Sequence, residues 1–275
     1  MYLISRGSGR PVLFLHGIPT SCHLWSPVIE RMLGQFTCIA VDLPGLGRSA
    51  MTQGGLRDLN KMATEIERIR IRLKIEEWHL VGHDAGCAVA VYYAHRFPNR
   101  VARLALLSPS IFPDLKPFHL FEILRRPVIG ELMAPIISLL FWSIAMRLAC
   151  DANNARREQL IDFRAPFRGL RGAWRLMALL RWGDPAAVLA LVPAMLPQLL
   201  APTLIFHGSK DPAVPPDFAR RAAGLIPNAR VILLESGHFL PMNEPEIIAK
   251  ELHRFLARGQ QDDPESEFAA IAVGA

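Results

Sequence analysis

The sequence has 275 residues, of which 51% are hydrophobic, and it carries a formal net charge of +6. A chain of this length and composition can bury one sizeable core, so it needs no second core domain. Its arginines are spread along the chain and nothing in it resembles a nucleic-acid-binding module, so nucleic acid is not among the expected partners.

Six short apolar runs rich in branched side chains, each followed by turn residues, are predicted to be buried strands. They are Pro11–Leu15, Phe36–Val41, Trp78–Val81, Val101–Leu107, Thr203–Phe206 and Val231–Leu234. Helical patterns alternate with these runs, at about Leu24–Leu33, Asp58–Leu73, Ala85–Phe97, Pro216–Ile226 and Pro245–Leu256. The alternation predicts the α/β class, with a mostly parallel, doubly wound sheet that helices cover on both faces.

Residues 112–200 break this rhythm, because they hold no clear strand and are rich in Arg, Leu, Trp and Pro. We predict a helical cap inserted after the fourth strand, above the carboxyl ends of the strands, where open α/β sheets bind ligands. The most apolar stretch, Leu132–Met146, contains Pro135 and is shorter than the roughly 20 residues of a spanning helix, which favours a cap helix. The predicted organisation is a core of residues 1–111 and 201–258, a cap of residues 112–200 and a flexible tail of residues 259–275.

The four cysteines form neither a C-x-x-C pair nor a spacing typical of a metal site, so we expect no metal. Free thiols indicate a reducing compartment. Residues Met1–Arg10 lack the basic start and the apolar core of a secretion signal, which makes the cytoplasm the expected location. The cysteines are Cys22, Cys38, Cys87 and Cys150.

The most informative motif is Gly82-His83-Asp84-Ala85-Gly86, which joins a predicted strand to a predicted helix. A strand, a sharp turn and a helix form a nucleophile elbow, in which glycines permit the strained turn and the central side chain projects above the sheet. The central residue here is a carboxylate, Asp84, where serine is usual. Attack by a carboxylate on an ester or amide gives a reactive anhydride, whereas attack on a saturated carbon gives an ordinary ester. Asp84 therefore predicts displacement at an sp3 carbon.

Three further residues follow predicted strands and complete a catalytic arrangement with Asp84. Ile18 lies in a turn after the first strand, and its amide and that of Ala85 are predicted to form an oxyanion hole. Asp211 and His238 follow the last two strands, in the chain order nucleophile, acid, base. In this arrangement His238 takes a proton from water, while Asp211 orients the imidazole and stabilises its cation.

These motifs resemble the α/β-hydrolase fold, and within it the branch that holds epoxide hydrolases and haloalkane dehalogenases. The resemblance covers residues 11 to about 110 and 202–256, and the segments that carry it are H-G-I-P-T-S, D-L-P-G-L-G-R-S, G-H-D-A-G and S-G-H. It implies a hydrolase that forms a covalent alkyl-enzyme ester at Asp84, which water activated by His238 then hydrolyses. The scheme requires no metal and no organic cofactor.

Two departures from that branch concern the leaving group. Haloalkane dehalogenases usually carry Asn in place of Ile18, or a second donor elsewhere, and Trp in place of Ala85, whose side-chain N–H groups hold the halide. Epoxide hydrolases usually protonate the opening ring with cap tyrosines, whereas the tyrosines of this chain lie outside the predicted cap. We therefore expect another cap donor, with His119 preferred because it lies at the cap entrance and can donate near neutral pH. The candidates are His119, Trp142, Trp174 and Trp182.

A small lipophilic epoxide is the first expected substrate, because the cap is strongly apolar and a halide site without either usual donor is the poorer match. A haloalkane is the second candidate, and a β-lactone is the third. A different class of function stays open as well, namely a non-catalytic ligand-binding protein on the same fold, whose cap contacts a partner or a membrane surface. The sequence predicts no particular oligomeric state.

Overall fold

The computed structural model describes residues 1–51, 55–116, 119–137, 163–181 and 184–257. A seven-stranded sheet forms its centre, with the strand order β1-β3-β2-β4-β5-β6-β7. The strand β1 runs antiparallel to β3, and all other neighbours pair in parallel, which confirms the predicted α/β class and doubly wound sheet. The strands are β1 (Leu3–Gly7), β2 (Arg10–Leu15), β3 (Phe36–Val41), β4 (Trp78–His83), β5 (Val101–Leu107), β6 (Thr203–Gly208) and β7 (Ala229–Leu234).

Helices occupy the connections between the parallel strands. Every residue of β4 and β6 is buried, as expected for strands covered on both faces. The helices are α1 (Ser26–Ile29), α2 (Leu59–Arg72), α3 (Ala85–Arg96), α4 (His119–Arg125), α5 (Gly169–Leu180), α6 (Pro185–Leu189), α7 (Val192–Met195), α8 (Asp217–Leu225), α9 (Leu240–Asn243) and α10 (Pro245–Ala257). Residues 129–137 are helical as well, and short 3-10 turns lie at Cys22–Trp25, Gly55–Arg57, Pro98–Arg100, Ala165–Phe167 and Leu196–Gln198.

One strand was missed, and one local prediction was wrong. The strand β1 was not predicted, because its residues are half-buried or exposed and an edge strand of this kind carries a weak apolar signal. The predicted helix Leu24–Leu33 is instead a 3-10 turn that leads into the short α1, which ends at Ile29.

The predicted cap contains helices and no strand in those of residues 112–200 that the structure describes. Arg175 on α5 ties this region to the core, because its guanidinium donates to the carbonyl oxygens of Gly45 and Ser49. The division of the chain into core, cap and tail stays a prediction, and the tail of residues 259–275 lies outside the described residues.

Among the described residues, no single helix is both long and apolar enough to cross a bilayer. One bent pair, Gly169–Leu180 with Pro185–Gln198, reaches the required length and composition when its two parts are taken together, with a 50° angle between them.

Candidate active site

The nucleophile elbow has the geometry that its sequence predicts. β4 ends at His83 and α3 begins at Ala85, so Asp84 alone makes the turn, with a φ of 50° and a ψ of −122°. A Cβ atom on Gly86 would lie 2.4 Å from the Leu15 carbonyl oxygen, which explains the glycine at that position. The backbone at Asp84 is strained, and such strain is typical of residues whose side chains are aimed at a functional site.

Both oxygens of the Asp84 carboxylate accept hydrogen bonds. The Ile18 amide donates to Oδ2 at 2.9 Å, and the Ser110 hydroxyl donates to Oδ1. Gly17 permits this arrangement, because a Cβ atom there would lie 2.4 Å from both Cβ and Oδ2 of Asp84. The amide of Ala85 lies in the first turn of α3, where no carbonyl of the helix is available to accept from it. The carboxylate is therefore held in one orientation by the Ile18 amide and the Ser110 hydroxyl.

His238 and Asp211 form a buried pair at the ends of β7 and β6. The His238 Nδ1–H donates to Asp211 Oδ2 at 2.8 Å, so that in the neutral ring Nε2 is unprotonated and able to act as a base. The other carboxylate oxygen of Asp211 accepts from the amides of Ala213 at 2.8 Å and Val214 at 3.0 Å. Asp211 is thus fixed by the backbone of its own loop and in turn fixes the imidazole ring.

Burial and charge act in opposite directions on this pair. Desolvation opposes ionisation of Asp211, but the charge and hydrogen bond of His238 and two backbone N–H groups outweigh it and hold the pKa of Asp211 well below its usual range. Desolvation likewise opposes protonation of His238, but Asp211, with a smaller contribution from the charge of Asp84, raises the pKa of His238 above 6.5. The three predicted catalytic residues therefore form one electrostatic unit.

Two further buried histidines support the loops of this unit. His83 donates from Nε2 to the carbonyl oxygen of His238 at 2.9 Å, and its ring stacks on Phe239. His207 donates from Nε2 to the carbonyl oxygen of Val214 at 2.9 Å, next to Asp211. Burial lowers the pKa of both rings, in His83 to about 4, so both are neutral donors.

His16 supports the oxyanion turn in the same way. Its Nε2 accepts from the Leu43 amide at 3.0 Å, and its Nδ1 donates to the Gly17 carbonyl oxygen at 2.8 Å. Burial lowers the pKa of His16, which keeps the ring neutral and preserves both hydrogen bonds. The backbone that presents the Ile18 amide is therefore fixed from behind.

The structure adds Ser110 to the predicted site residues. Ser110 is only 4% exposed and follows β5, whose end lies beside the elbow because Leu107 pairs with His83. No motif marks this serine, and the available signal was its position after a strand predicted to lie near the site. Among the described residues, no group of three or more His, Cys, Asp or Glu side chains is placed to hold a metal ion.

Of the four predicted leaving-group donors, the structure describes the side chain of Trp174 alone. Trp142 and Trp182 lie outside the described residues, and so does the side chain of His119 at the start of α4. Trp174 on α5 is described and is 49% exposed. A ring this open to water is poorly suited to hold a desolvated leaving group.

Comparisons with known proteins agree on the fold and on the class of enzyme. The chain matches the alpha/beta hydrolase fold family over residues 10–245. A haloalkane dehalogenase from Mesorhizobium japonicum is 29% identical over 272 residues, which cover 93% of this chain and 87% of that protein. A soluble epoxide hydrolase from a Corynebacterium species is 39% identical over 108 residues, which cover 39% of this chain and 37% of that protein.

The solved structure of the haloalkane dehalogenase DbeA from Bradyrhizobium elkani USDA94 is 27% identical, covers 93% of each chain and gives a TM-score of 0.75. The family match spans most of the sequence and includes Asp84, Asp211 and His238. The chain therefore belongs to the alpha/beta hydrolase fold family, and it is a hydrolase of the branch that holds haloalkane dehalogenases and epoxide hydrolases.

Proposed function

We propose that this enzyme hydrolyses small lipophilic epoxides through a covalent ester of Asp84. The observation that carries the proposal is the carboxylate at the elbow, whose Oδ2 accepts from the Ile18 amide while the His238–Asp211 pair lies within electrostatic reach. A carboxylate in this position suits attack on saturated carbon and the later hydrolysis of the resulting ester.

In the first step, Oδ1 of Asp84 is assigned as the attacking atom, because Oδ2 faces the Ile18 amide of the predicted oxyanion hole, which has to hold the negative charge in the second step. A bond forms between Oδ1 and one ring carbon of the epoxide, and the bond from that carbon to the ring oxygen breaks. The electron pair stays on the ring oxygen, which takes a proton from a donor in the cap. The strain of the three-membered ring assists this opening, so an epoxide makes a smaller demand on the donor than an unstrained ether does.

In the second step, Nε2 of His238 takes a proton from water, and the hydroxide attacks the Asp84 carbonyl carbon. The negative charge develops on Oδ2, where the amides of Ile18 and Ala85 stabilise it. The intermediate then breaks the bond between Cγ and Oδ1. The product diol leaves with the original Oδ1, and Asp84 keeps the oxygen from water.

The electrostatics of the site favour this sequence of steps. The negative charge of Asp84 is one cause of the raised pKa of His238. Alkylation neutralises Asp84 and removes that contribution, so the pKa of His238 falls when the ester forms. His238 is therefore driven toward the neutral state at the stage at which it has to act as a base.

An epoxide is favoured over a haloalkane by the residues beside the nucleophile. Neither Ile18 nor Ala85 carries a side-chain N–H group, and a halide ion in a desolvated cavity depends on such donors. Haloalkane dehalogenation is the second candidate, and the observation that favours it is the similarity to a haloalkane dehalogenase over 93% of the chain.

The test uses His238→Gln, which blocks the second step, with styrene oxide and 1-bromobutane as probes and intact-protein mass spectrometry as the readout. The expected result is one adduct per chain with styrene oxide, located at Asp84 by peptide mapping, and none in Asp84→Asn. An adduct with 1-bromobutane alone, together with bromide release by the native enzyme, would favour the haloalkane reaction. Absence of any adduct, or turnover by Asp84→Asn, would overturn the covalent scheme.

A further inference from the structure

We propose that Ser110 is a catalytic residue of the second step, in which its hydroxyl donates a hydrogen bond to the alcohol oxygen that leaves Asp84. This inference rests on the proposed function, because it assigns a role to the atom Oδ1 in the hydrolysis of the ester. Its basis is the contact from the Ser110 hydroxyl to Asp84 Oδ1.

The position of Ser110 is fixed by the sheet. The Asp84 amide donates to the Leu107 carbonyl oxygen at 3.1 Å, which joins the elbow to the end of β5. The Ser108 amide donates to the Phe206 carbonyl oxygen at 2.9 Å, which joins the next part of the chain to β6. Because the chain just before Ser110 is joined to the elbow at Leu107 and to β6 at Ser108, and because Ser110 is buried, its hydroxyl is preorganised toward Oδ1.

A donor at Oδ1 has opposite effects on the two steps. In the first step Oδ1 is the nucleophile, and a donated hydrogen bond stabilises its negative charge and so weakens its attack. In the second step Oδ1 receives the electron pair of the breaking bond to Cγ, so the same hydrogen bond stabilises the developing alkoxide. Ser110 therefore assists ester hydrolysis and slightly opposes ester formation.

The two protons of the attacking water have different destinations in the second step. The proton that His238 takes from water is the one that finally resides on Oδ1 of the departing alcohol. The second proton of water stays on the new Asp84 carboxyl group, and its loss to the cap donor that gave up a proton in the first step restores the carboxylate, while His238 is again neutral and Ser110 is unchanged. The Ser110 hydroxyl stabilises the negative charge on Oδ1 in the transition state and gives up no proton.

The test of this role measures adduct formation and adduct decay separately in Ser110→Ala, by rapid quench and intact-protein mass spectrometry with styrene oxide. The expected result is that decay of the adduct slows about 100-fold, the order of effect found on removing one transition-state donor, while its formation is unchanged or faster. Adduct should then accumulate during steady-state turnover. The matched control is Thr203→Val, which removes a buried hydroxyl that donates to the Ala201 carbonyl oxygen at 3.0 Å, at the opposite end of β6.

The outcomes separate this inference from the proposed function. If His238→Gln forms an adduct but Ser110→Ala hydrolyses it at the native rate, only the role of Ser110 is wrong. If Ser110→Ala slows formation and decay equally, the serine has a structural role and the inference also fails. If His238→Gln forms no adduct at all, the covalent scheme and the role of Ser110 fall together.

Discussion

The core and the cap of this enzyme differ in how their polar groups are held. In the core, Asp84, Asp211 and His238 are fixed by backbone hydrogen bonds and by contacts among buried side chains. In the described part of the cap, Trp174 is half-exposed, and Arg175 is directed at the carbonyl groups of the core. From this difference we expect the strand ends to determine how bonds form and break, and the cap to determine which substrate is admitted.

The largest effect on catalysis is expected for Asp211→Asn, which changes a group at the strand ends and leaves the cap intact. In this variant the side-chain NH2 group that faces His238 cannot accept a hydrogen bond from Nδ1–H. The ring therefore carries its proton on Nε2, which can then no longer accept a proton from water. We expect the rate of adduct hydrolysis to fall by roughly 10³- to 10⁴-fold. Adduct formation should change much less, since His238 takes no proton in that step. Both rates are measured by rapid quench and mass spectrometry.

The pH dependence of the same variant has a definite sign. Neutral His238 is required, so native hydrolysis of the adduct falls as the pH drops through the pKa of His238. Asp211 raises that pKa, so its replacement moves the acidic limb of the residual rate to lower pH. Asp114→Asn is the control, because Asp114 pairs with Arg221 on the surface of α8. An unchanged limb in Asp211→Asn would contradict the electrostatic coupling.

The residues that sequence could predict are those whose function depends on local chain geometry. Asp84 was predictable because a strand, a glycine-flanked turn and a helix lie within one short segment. Asp211 and His238 were predictable because each follows a strand end, and parallel strands bring such ends together. In these cases the fold class alone supplies the missing spatial information.

The residues that sequence missed depend on register and on tautomer. Ser110 reaches Asp84 only because Leu107 pairs with His83, and a shift in that pairing would direct the serine elsewhere. His83 and His207 act through single N–H groups whose acceptors are carbonyl oxygens on other loops. Neither kind of information is present in the pattern of residue types along the chain.

A second, smaller effect tests whether the core alone orients the nucleophile. In Gly17→Ala, the added Cβ would lie 2.4 Å from Oδ2 of Asp84, so the carboxylate has to move. We expect adduct formation to slow by about 10- to 100-fold, because a displacement on the order of 1 Å is enough to disturb an attack geometry. The measurement is the single-turnover rate of adduct formation with styrene oxide.

The matched control for that variant is Gly34→Ala, since a Cβ there meets no atom within 4 Å. It should keep the native rate, and both variants should retain a cooperative thermal transition. If Gly17→Ala reacts as fast as the native enzyme, the carboxylate is less constrained than its contacts indicate, and the core does not fix the nucleophile as described above.

The smallest effect is expected where the cap meets the core, in Arg175→Ala. The guanidinium donates from Nε and Nη2 to the Gly45 carbonyl oxygen at 3.1 Å and 2.9 Å, and from Nη2 to that of Ser49 at 3.2 Å. Loss of the guanidinium should lower the free energy of unfolding by about 1–2 kcal/mol, which is the usual contribution of hydrogen bonds that involve a charged, half-buried group. Arg171→Ala on the exposed face of α5 should change it by less than about 0.5 kcal/mol.

The kinetic consequence of Arg175→Ala decides whether core and cap are separable. If the cap only admits and positions the substrate, the variant should raise KM while the maximal rate of adduct formation stays within a few-fold of native. Hydrogen exchange should increase in α5 and in residues 45–49, because these segments lose their shared contacts. A loss of adduct formation as large as that of Gly17→Ala would mean that the cap orients the Asp84 carboxylate through the loop at Gly45, and the two regions would then have to be treated as one catalytic unit.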